Sequence, residues 1–364
     1  ANTTGSYNTA VGRQALSDNT TASNNTGVGY RALYVNTTGT GNVAVGSGSL
    51  DANTTGSNNV AIGKDALTAS TTHSGIIAIG ENCLKTADAN TNNVAIGKEA
   101  MELTTTGSGI AIGAYALHNN TTGLRNIAIG YGTLDTNTTG DDNTAVGNLA
   151  MDGNTTGSRN TAVGEQALTS NTTATNNVAV GYHALDTSTT ATGNVAVGAF
   201  AMEDTTTGGY NTALGYAALT NHTTSGDNTA VGAESLYTLT TGNYNTALGK
   251  EALYTNNADH NTAVGNDAMK LNTTGTQNVA VGSAALNVNT TGNSITAVGY
   301  QALVANTTGD ENTAVGHVAL DANTTGSYNV AVGKNAMTDS TTGDRNVAVG
   351  QNALENNTTA DKNV

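Results

Sequence analysis

The apolar positions of this chain recur with one short period. A glycine closes each Ala-Val-Gly or Ala-Ile-Gly triplet at Gly12, Gly29, Gly46, Gly63, Gly80 and Gly97, then every 17 residues from Gly113 to Gly249 and again from Gly265 to Gly350. That makes 21 copies, with only two intervals shortened to 16. The consensus is Asn-Thr/Val-Ala-Val-Gly-x-x-Ala-Leu-x-x-Asn-Thr-Thr-Gly-x-x. Aligning the copies on Asn8 to Asn24 turns the chain into columns. The Val11 column holds only Val, Ile or Leu, and the Leu16 column only Leu or Met. The Thr9 column is β-branched throughout, and the Ala10 and Ala15 columns are almost always Ala. The Arg13 and Gln14 columns accept nearly anything, which marks them as facing water.

These columns predict short strands. A run such as Asn42-Val43-Ala44-Val45-Gly46 is too short for a helix, and its β-branched residues alternate with Ala at period two. Glycine ends each strand and Asn-Thr-Thr-Gly supplies turn chemistry. A unit this small buries nothing alone, so the units must stack. The expected fold is all-β: a parallel β-solenoid, or β-roll, of about 21 coils with a 17-residue repeat, running as one repetitive body over residues 1–364. Asn363 and Val364 begin a further repeat, so the chain is expected to be a segment of a longer protein.

The expected core is the two strictly apolar columns, represented by Val11, Val28 and Ile62 and by Leu16, Leu33, Leu67, Leu219, Met101, Met151, Met202, Met269 and Met337. Gly12, Gly29, Gly46, Gly63, Gly80 and Gly97 are expected in tight turns. Asn8, Asn25, Asn42 and Asn59 are expected to form an amide ladder, since identical amides in register can bond along a stack. Thr20 and its counterparts invite the same reading. An invariant Ala10 column implies close packing on that strand face too. Both faces are therefore expected to be covered, one by the coil interior and the other most simply by another copy of the chain. The alternative is a thin coil whose two walls meet at Ala10 and Ala15.

Composition narrows the function. Only 11% of residues are charged, with 45 Gly, no Pro and no Trp, and the net charge is −15. That balance disfavours nucleic acid and anionic membranes as partners. No apolar run approaches the ~20 residues of a membrane span. Cys83 stands alone, which excludes an intrachain disulfide, and its place in a small-residue column predicts a buried, inert thiol.

The motif Asn-x-Ala-Val/Ile-Gly-x-x-Ala, as in Asn42 to Gly46 and Asn93 to Gly97, resembles the head repeats of trimeric autotransporter adhesins (YadA-like heads) and related tail-fibre-like repeat proteins. The resemblance runs the length of the chain, with a longer repeat whose extra residues are mostly the Asn-Thr-Thr-Gly turn. It implies a left-handed parallel β-roll, three chains around an axis, an extracellular, cell-surface or virion-surface location, and adhesion to a host surface or glycans.

Chemistry-bearing residues are sparse. His73, His118, His183, His222, His260 and His317 fall in different columns without partners at metal-ligand spacing. No catalytic constellation or cofactor motif stands out, so neither an enzyme nor a cofactor is expected. Asp141-Asp142 and Asp310-Glu311 read as solvated turns rather than calcium ligands. The 13 Tyr lie in variable columns, where they either pack over a neighbouring coil or stack on sugars. Asn19, Asn36, Asn53 and Asn137 fit the N-glycosylation pattern, a match that tandem repetition makes automatic. The expected function is a structural or adhesive fibre or shaft that self-associates as a trimer or filament. A glycan- or ice-binding solenoid and a phage tail-fibre segment are the alternatives. For ice binding, adjacent Thr20 and Thr21 lack the Thr-x-Thr spacing of one strand face. The irregular coil at Ala87-Asp88-Ala89-Asn90 and the short coils near Gly109 and Asn257 read as packing adjustments.

Overall fold

The computed structural model describes residues 2–86 and 92–364. The irregular coil at 87–90 lies outside the described residues. The chain divides into two compact units, Ala1–Ala179 and Val180–Val364, taken separately here. The first contains strands β1 (Thr9–Val11) to β10 (Thr161–Val163), and the second β12 (Val195–Val197) to β21 (Val347–Val349). The intervening β11 (Val178–Val180) falls at the division. In each unit every strand pairs in parallel with the strand of the next coil, each column residue opposite its own counterpart, as in Val43↔Val60, Ala44↔Ala61 and Val45↔Ile62 or Val279↔Thr296, Ala280↔Ala297 and Val281↔Val298. Each unit is thus a parallel β-solenoid. No described helix is long and apolar enough to cross a membrane.

Stacking extends well beyond the three-residue strands. The strand contributes Val43 N–H to Asn59 O (2.8 Å) and Gly46 N–H to Val28 O (2.8 Å). Outside it, Arg31 N–H reaches Arg13 O (3.0 Å), Leu33 N–H reaches Ser49 O (3.0 Å), and Thr37 N–H reaches Thr54 O (2.9 Å). Backbone groups in the turns are therefore paired rung to rung as well. The glycine that closes each strand stands at φ between +128° and +146°, and a Cβ built on Gly46 would lie 2.3 Å from the carbonyl oxygen of Gly63. Only glycine fits that column.

The interior is the alternative arrangement, two walls meeting at alanine. Ala44, Ala61, Ala66, Leu33, Leu67, Met101, Met151, Met202, Leu219, Met269 and Met337 are all fully buried, and Leu16, at the chain end, is nearly so. A Cβ at Gly27, the one glycine in the Ala10 column, would lie 3.2 Å from Leu16 Cγ and 3.1 Å from Ala32 O, so nothing larger than Ala fits there. The expectation that the Val11 column forms core is overturned. Val11 is 57% exposed and Ile62 37%, and Val28 is half-buried. Strand alternation puts Thr9 and Val11 on one face and Ala10 on the other, and the thin coil turns its Ala face inward. Within one chain the coil interior covers the Ala10 face, and the Thr9 and Val11 face is open.

Residues departing from Ala in the Ala15 column each carry a donor aimed at a backbone carbonyl. Ser49 Oγ–H reaches Gly46 O (3.0 Å), Thr133 Oγ1–H reaches Gly147 O (2.8 Å) and Ser235 Oγ–H reaches Gly232 O (2.9 Å). Cys83 sits 3.2 Å from Ala95 O, and burial pushes its thiol up to about 12, as expected of an inert thiol.

Three further columns hold residues at positive φ: those of Tyr7, Gln14 and Leu16, with Leu33 at +53° and Leu219 at +55°. Left-handed backbone costs an L-residue roughly 1–2 kcal/mol, more with a branched Cβ. In this threonine-rich chain, Val318 is the only β-branched residue among the described positive-φ positions. That explains why the Leu16 column takes Leu and Met but never Val or Ile.

Two asparagine ladders line the interior. In the first, each Asn Oδ1 accepts the next rung's backbone N–H: Asn25 N–H to Asn8 (3.0 Å), Asn42 to Asn25 (2.9 Å), Asn59 to Asn42 (3.0 Å). The ladder exists as expected, but its main links run from side chain to backbone. Some of its rungs also bond amide to amide, as Asn160 Nδ2 to Asn143 Oδ1 (3.3 Å) and Asn228 Nδ2 to Asn211 Oδ1 (3.2 Å), and this is the regular link of the Asn19 column: Asn36 Nδ2 to Asn19 Oδ1 (3.0 Å), Asn53 to Asn36 (2.8 Å), Asn154 to Asn137 (2.8 Å). The Thr20 column adds hydroxyl bonds to the next rung's carbonyl, as from Thr37 to Thr54 (2.9 Å). Where serine interrupts the second ladder it stops: Asn53 Oδ1 and Ser70 Oγ, and likewise Asn323 Oδ1 and Ser340 Oγ, are buried without a partner within the chain.

Two stability predictions follow from this architecture. Leu219→Ile, an isomer of equal hydrophobicity, is expected to destabilise by about 2 kcal/mol or more because of the branched Cβ at positive φ, whereas Leu219→Met stays below about 1.5 kcal/mol. Thermal unfolding of the two variants checks the contrast. Ser340→Asn is expected to join Asn323 to Asn357 and to stabilise by about 1 kcal/mol, read as raised protection of nearby amides in hydrogen exchange.

Candidate functional site

Variable side chains gather at the corner after each strand, in the columns of Arg13, Gln14 and Ser17. Because each rung overlies the next, a residue of the Gln14 column lies beside the residue three positions on and beside its counterpart in the following coil. In several coils this corner holds a matched ion pair. Arg31 Nη2 lies 3.4 Å from Asp51 Oδ2, and Glu251 is bonded to Lys270. Such partly exposed pairs contribute little stability.

Aromatic residues occupy the same corner. Tyr237 stacks on Tyr254 with centroids 5.1 Å apart, Tyr300 on His317 at 5.3 Å, and the Arg31 guanidinium lies over Tyr34 at 4.5 Å. Most tyrosines thus pack over a neighbouring coil. Two notches break the wall. One, of about 250 Å³, is lined by Tyr115, Tyr131, Gly132, Asp135, Leu149 and Asp152. The other, of about 230 Å³, is lined by Phe200, Glu203, Tyr216, Ala217, Thr220 and Tyr237. Both arise where a small residue, Gly132 or Ala217, follows a large one in the Gln14 column. Each combines edge-to-face rings, Tyr115–Tyr131 at 5.8 Å and Phe200–Tyr216 at 5.9 Å, with a carboxylate. Burial raises the Asp152 and Glu203 carboxyls, with Asp135 adding to the first and Asp204 to the second. A ring face beside a hydroxyl acceptor suits a small polyhydroxylated ring.

The structure brings together histidines and carboxylates that appear unrelated in sequence. His183 Nδ1 lies 2.7 Å from Asp186 Oδ2, and Glu203 joins them from the next coil. In the first unit, His118 Nε2 lies 3.3 Å from Glu102 Oε2 beside Glu99, while its Nδ1 lies 3.2 Å from Asp135. In each cluster the three ligand atoms lie within 4.8 Å of one another. The expectation that no histidine has partners at ligand spacing is corrected here. Asp186 lies three residues from His183 in the same turn, and the other partners come from the neighbouring rung, 16 to 20 residues away, a separation that linear spacing rules do not inspect. His260 stacks on Tyr244 and His73 Nδ1 is buried without a partner.

The acidic pairs serve the rungs. Asp141 Oδ1 accepts Leu124 N–H (2.7 Å), Asp142 pairs with Arg125 (2.6 Å), and Asp310 Oδ1 accepts Asn293 N–H (2.8 Å). Asn19, Asn36, Asn53 and Asn137 are buried, with their Nδ2 atoms committed to the ladder and to turn carbonyls. The folded chain offers no amide for glycan attachment at these four positions.

Compared with protein-family models and with curated proteins, the chain matches none. Fold and geometry define it as a β-solenoid repeat protein.

One buried histidine is poised to respond to pH. His222 takes an Asn position in the second ladder and is fully buried. Its Nε2–H donates to Ser225 O, so Nδ1 accepts the Thr205 hydroxyl at 3.0 Å. Burial holds its pKa below the ordinary 6.5, against the opposing bond to Ser225. The unfolded chain therefore binds the proton first, and stability from neutral His222 is complete above about pH 6.5 and lost as pH falls through the window below it. His222→Asn is expected to remove that part of the acid limb. The difference in melting temperature between variant and parent changes from pH 7 to pH 5 and is flat above pH 7.5.

Proposed function

We propose that this chain is the shaft of a structural or adhesive surface fibre, associating with copies of itself through its outer strand face. The observation that carries the reading is the Val11 column. It is apolar in every copy, yet it points away from the coil: Leu214 is 48% exposed and Leu248 46%. A half-solvated sheet ordinarily alternates to polar residues on its wet side. An apolar stripe repeated on rung after rung is a surface that calls for a cover. In-register stacking favours a cover with the same repeat, which is another copy of this chain. Three copies around an axis, left-handed coils and display outside the cell are the arrangement that the resemblance to trimeric adhesin heads implies. The rung-to-rung backbone hydrogen bonds in strands and turns suit a load-bearing role, and the aromatic notches are where adhesive contact with glycans would fall.

Light scattering on the purified chain is expected to give an oligomer. Combining Leu214→Asp, Val231→Lys and Leu248→Asp, which alternates the charge along the column, is expected to lower the association state while the β circular dichroism persists, since these side chains are not core within one chain. A parent chain that is monomeric at micromolar concentration, or an oligomer that survives the triple substitution, would count against the reading.

A further inference from the structure

We propose that His183, Asp186 and Glu203 form a binding site for a divalent transition metal of the zinc class, independent of the fibre reading. The argument starts from the corner columns. A residue of the Gln14 column, the residue three positions on, and that residue's counterpart in the next coil converge on one point. In other coils the point is neutralised by a cation: Arg31 sits against Asp51, and Lys270 against Glu251. At His183 the same three positions present an imidazole and two carboxylates, and among the described residues no lysine or arginine pairs with Asp186 or Glu203. The cluster is half-buried and offers two carboxylates and one imidazole nitrogen as donors. One imidazole with two carboxylates is a zinc-type donor set, and at metal–ligand distances of about 2.0–2.2 Å neighbouring donor atoms of a tetrahedral site sit about 3.3–3.6 Å apart. The ligand atoms already lie within 4.8 Å of one another, so rotamer adjustment suffices. The ring is held in place, since Tyr182 packs on His183 at 4.1 Å and Phe200 stacks at 5.9 Å. Binding replaces the His183–Asp186 hydrogen bond and leaves the fourth position to water.

The first unit supplies an internal comparison. Glu99, Glu102 and His118 occupy the same three columns with the histidine at a different corner. There Lys98 lies 3.4 Å from Glu99 and Lys85 3.8 Å from Glu102, so two cations already compete for the carboxylates. This second site is weaker by the same logic.

The test is calorimetric titration of the metal-stripped chain with zinc chloride at pH 7.5, paired with the visible spectrum on adding cobalt(II). One strong equivalent with a micromolar dissociation constant is expected, with cobalt d–d bands of low coordination number. His183→Ala and Glu203→Gln are each expected to weaken that equivalent at least tenfold, and His118→Ala to leave it unchanged. Magnesium and calcium are expected not to compete. Unchanged circular dichroism of the variants separates loss of ligands from loss of fold, and His183→Gln serves if the alanine variant unfolds. Absence of zinc binding, or strong binding that persists in both His183→Ala and Glu203→Gln, would overturn the proposal.

Discussion

The constraint on which everything else depends is that each residue lies directly above its own counterpart one strand spacing away. At about 4.8 Å between rungs, a position that suits one coil must suit a column of identical neighbours. Backbone donors and acceptors are satisfied by the next rung both in the strands and in the turns. The strand-closing glycine follows directly, because a side chain there would strike the carbonyl above it. So do the two asparagine columns, whose amides both accept and donate along the stack. So does the absence of proline, which would remove an N–H that a neighbouring rung accepts.

Much of this was legible in the sequence because repetition turns one chain into an alignment of itself. The period, the parallel stack, the glycine column, the Leu/Met core and an asparagine ladder all emerge from column composition. The strand's orientation does not. Column composition shows that Val11 is apolar and Ala10 small, but not which of them faces inward. Here the inner wall approaches Leu16 so closely that only Ala fits, and the larger side chains are turned out. Both asparagine columns carry amide-to-amide bonds, and only coil geometry shows that the regular link is to a backbone N–H in the Asn8 column and amide to amide in the Asn19 column. The left-handed positions did leave a trace. Val318 apart, their columns exclude β-branched residues in a chain full of threonine, and that near-exclusion is the physical signature of positive φ.

The corner clusters were harder to see. Ligand-spacing rules inspect residues a few positions apart along one element, whereas a solenoid makes neighbours of residues one coil apart. His183 meets Asp186 within its own turn and Glu203 from the next rung, so only a column overlay brings all three together. The aromatic notches are legible by the same device, as a small residue beneath a large one. The raised Asp152 and Glu203 carboxyls are not, because burial depends on the folded coil rather than on column composition.

Stacking also accounts for a composition that would otherwise suggest disorder. Registering like over like makes any uniformly charged column repel itself, and a row of identical charges a few ångström apart is costly even in water. Invariant columns must therefore be apolar, small, or neutral and able to bond to themselves. Asn and Thr meet the last condition, because each carries a donor and an acceptor on a short side chain. Charge is confined to columns free to vary, and there it is repeatedly offset by an opposite charge on a nearby rung, as with Arg31 and Asp51, Lys64 and Glu81, and Arg125 and Asp142. The low charged fraction, the abundance of Asn and Thr and the concentration of chemistry at one corner of the coil are consequences of the same in-register stack. The corner is a place where this architecture tolerates variation, and so one where a function distinct from the fold can be added.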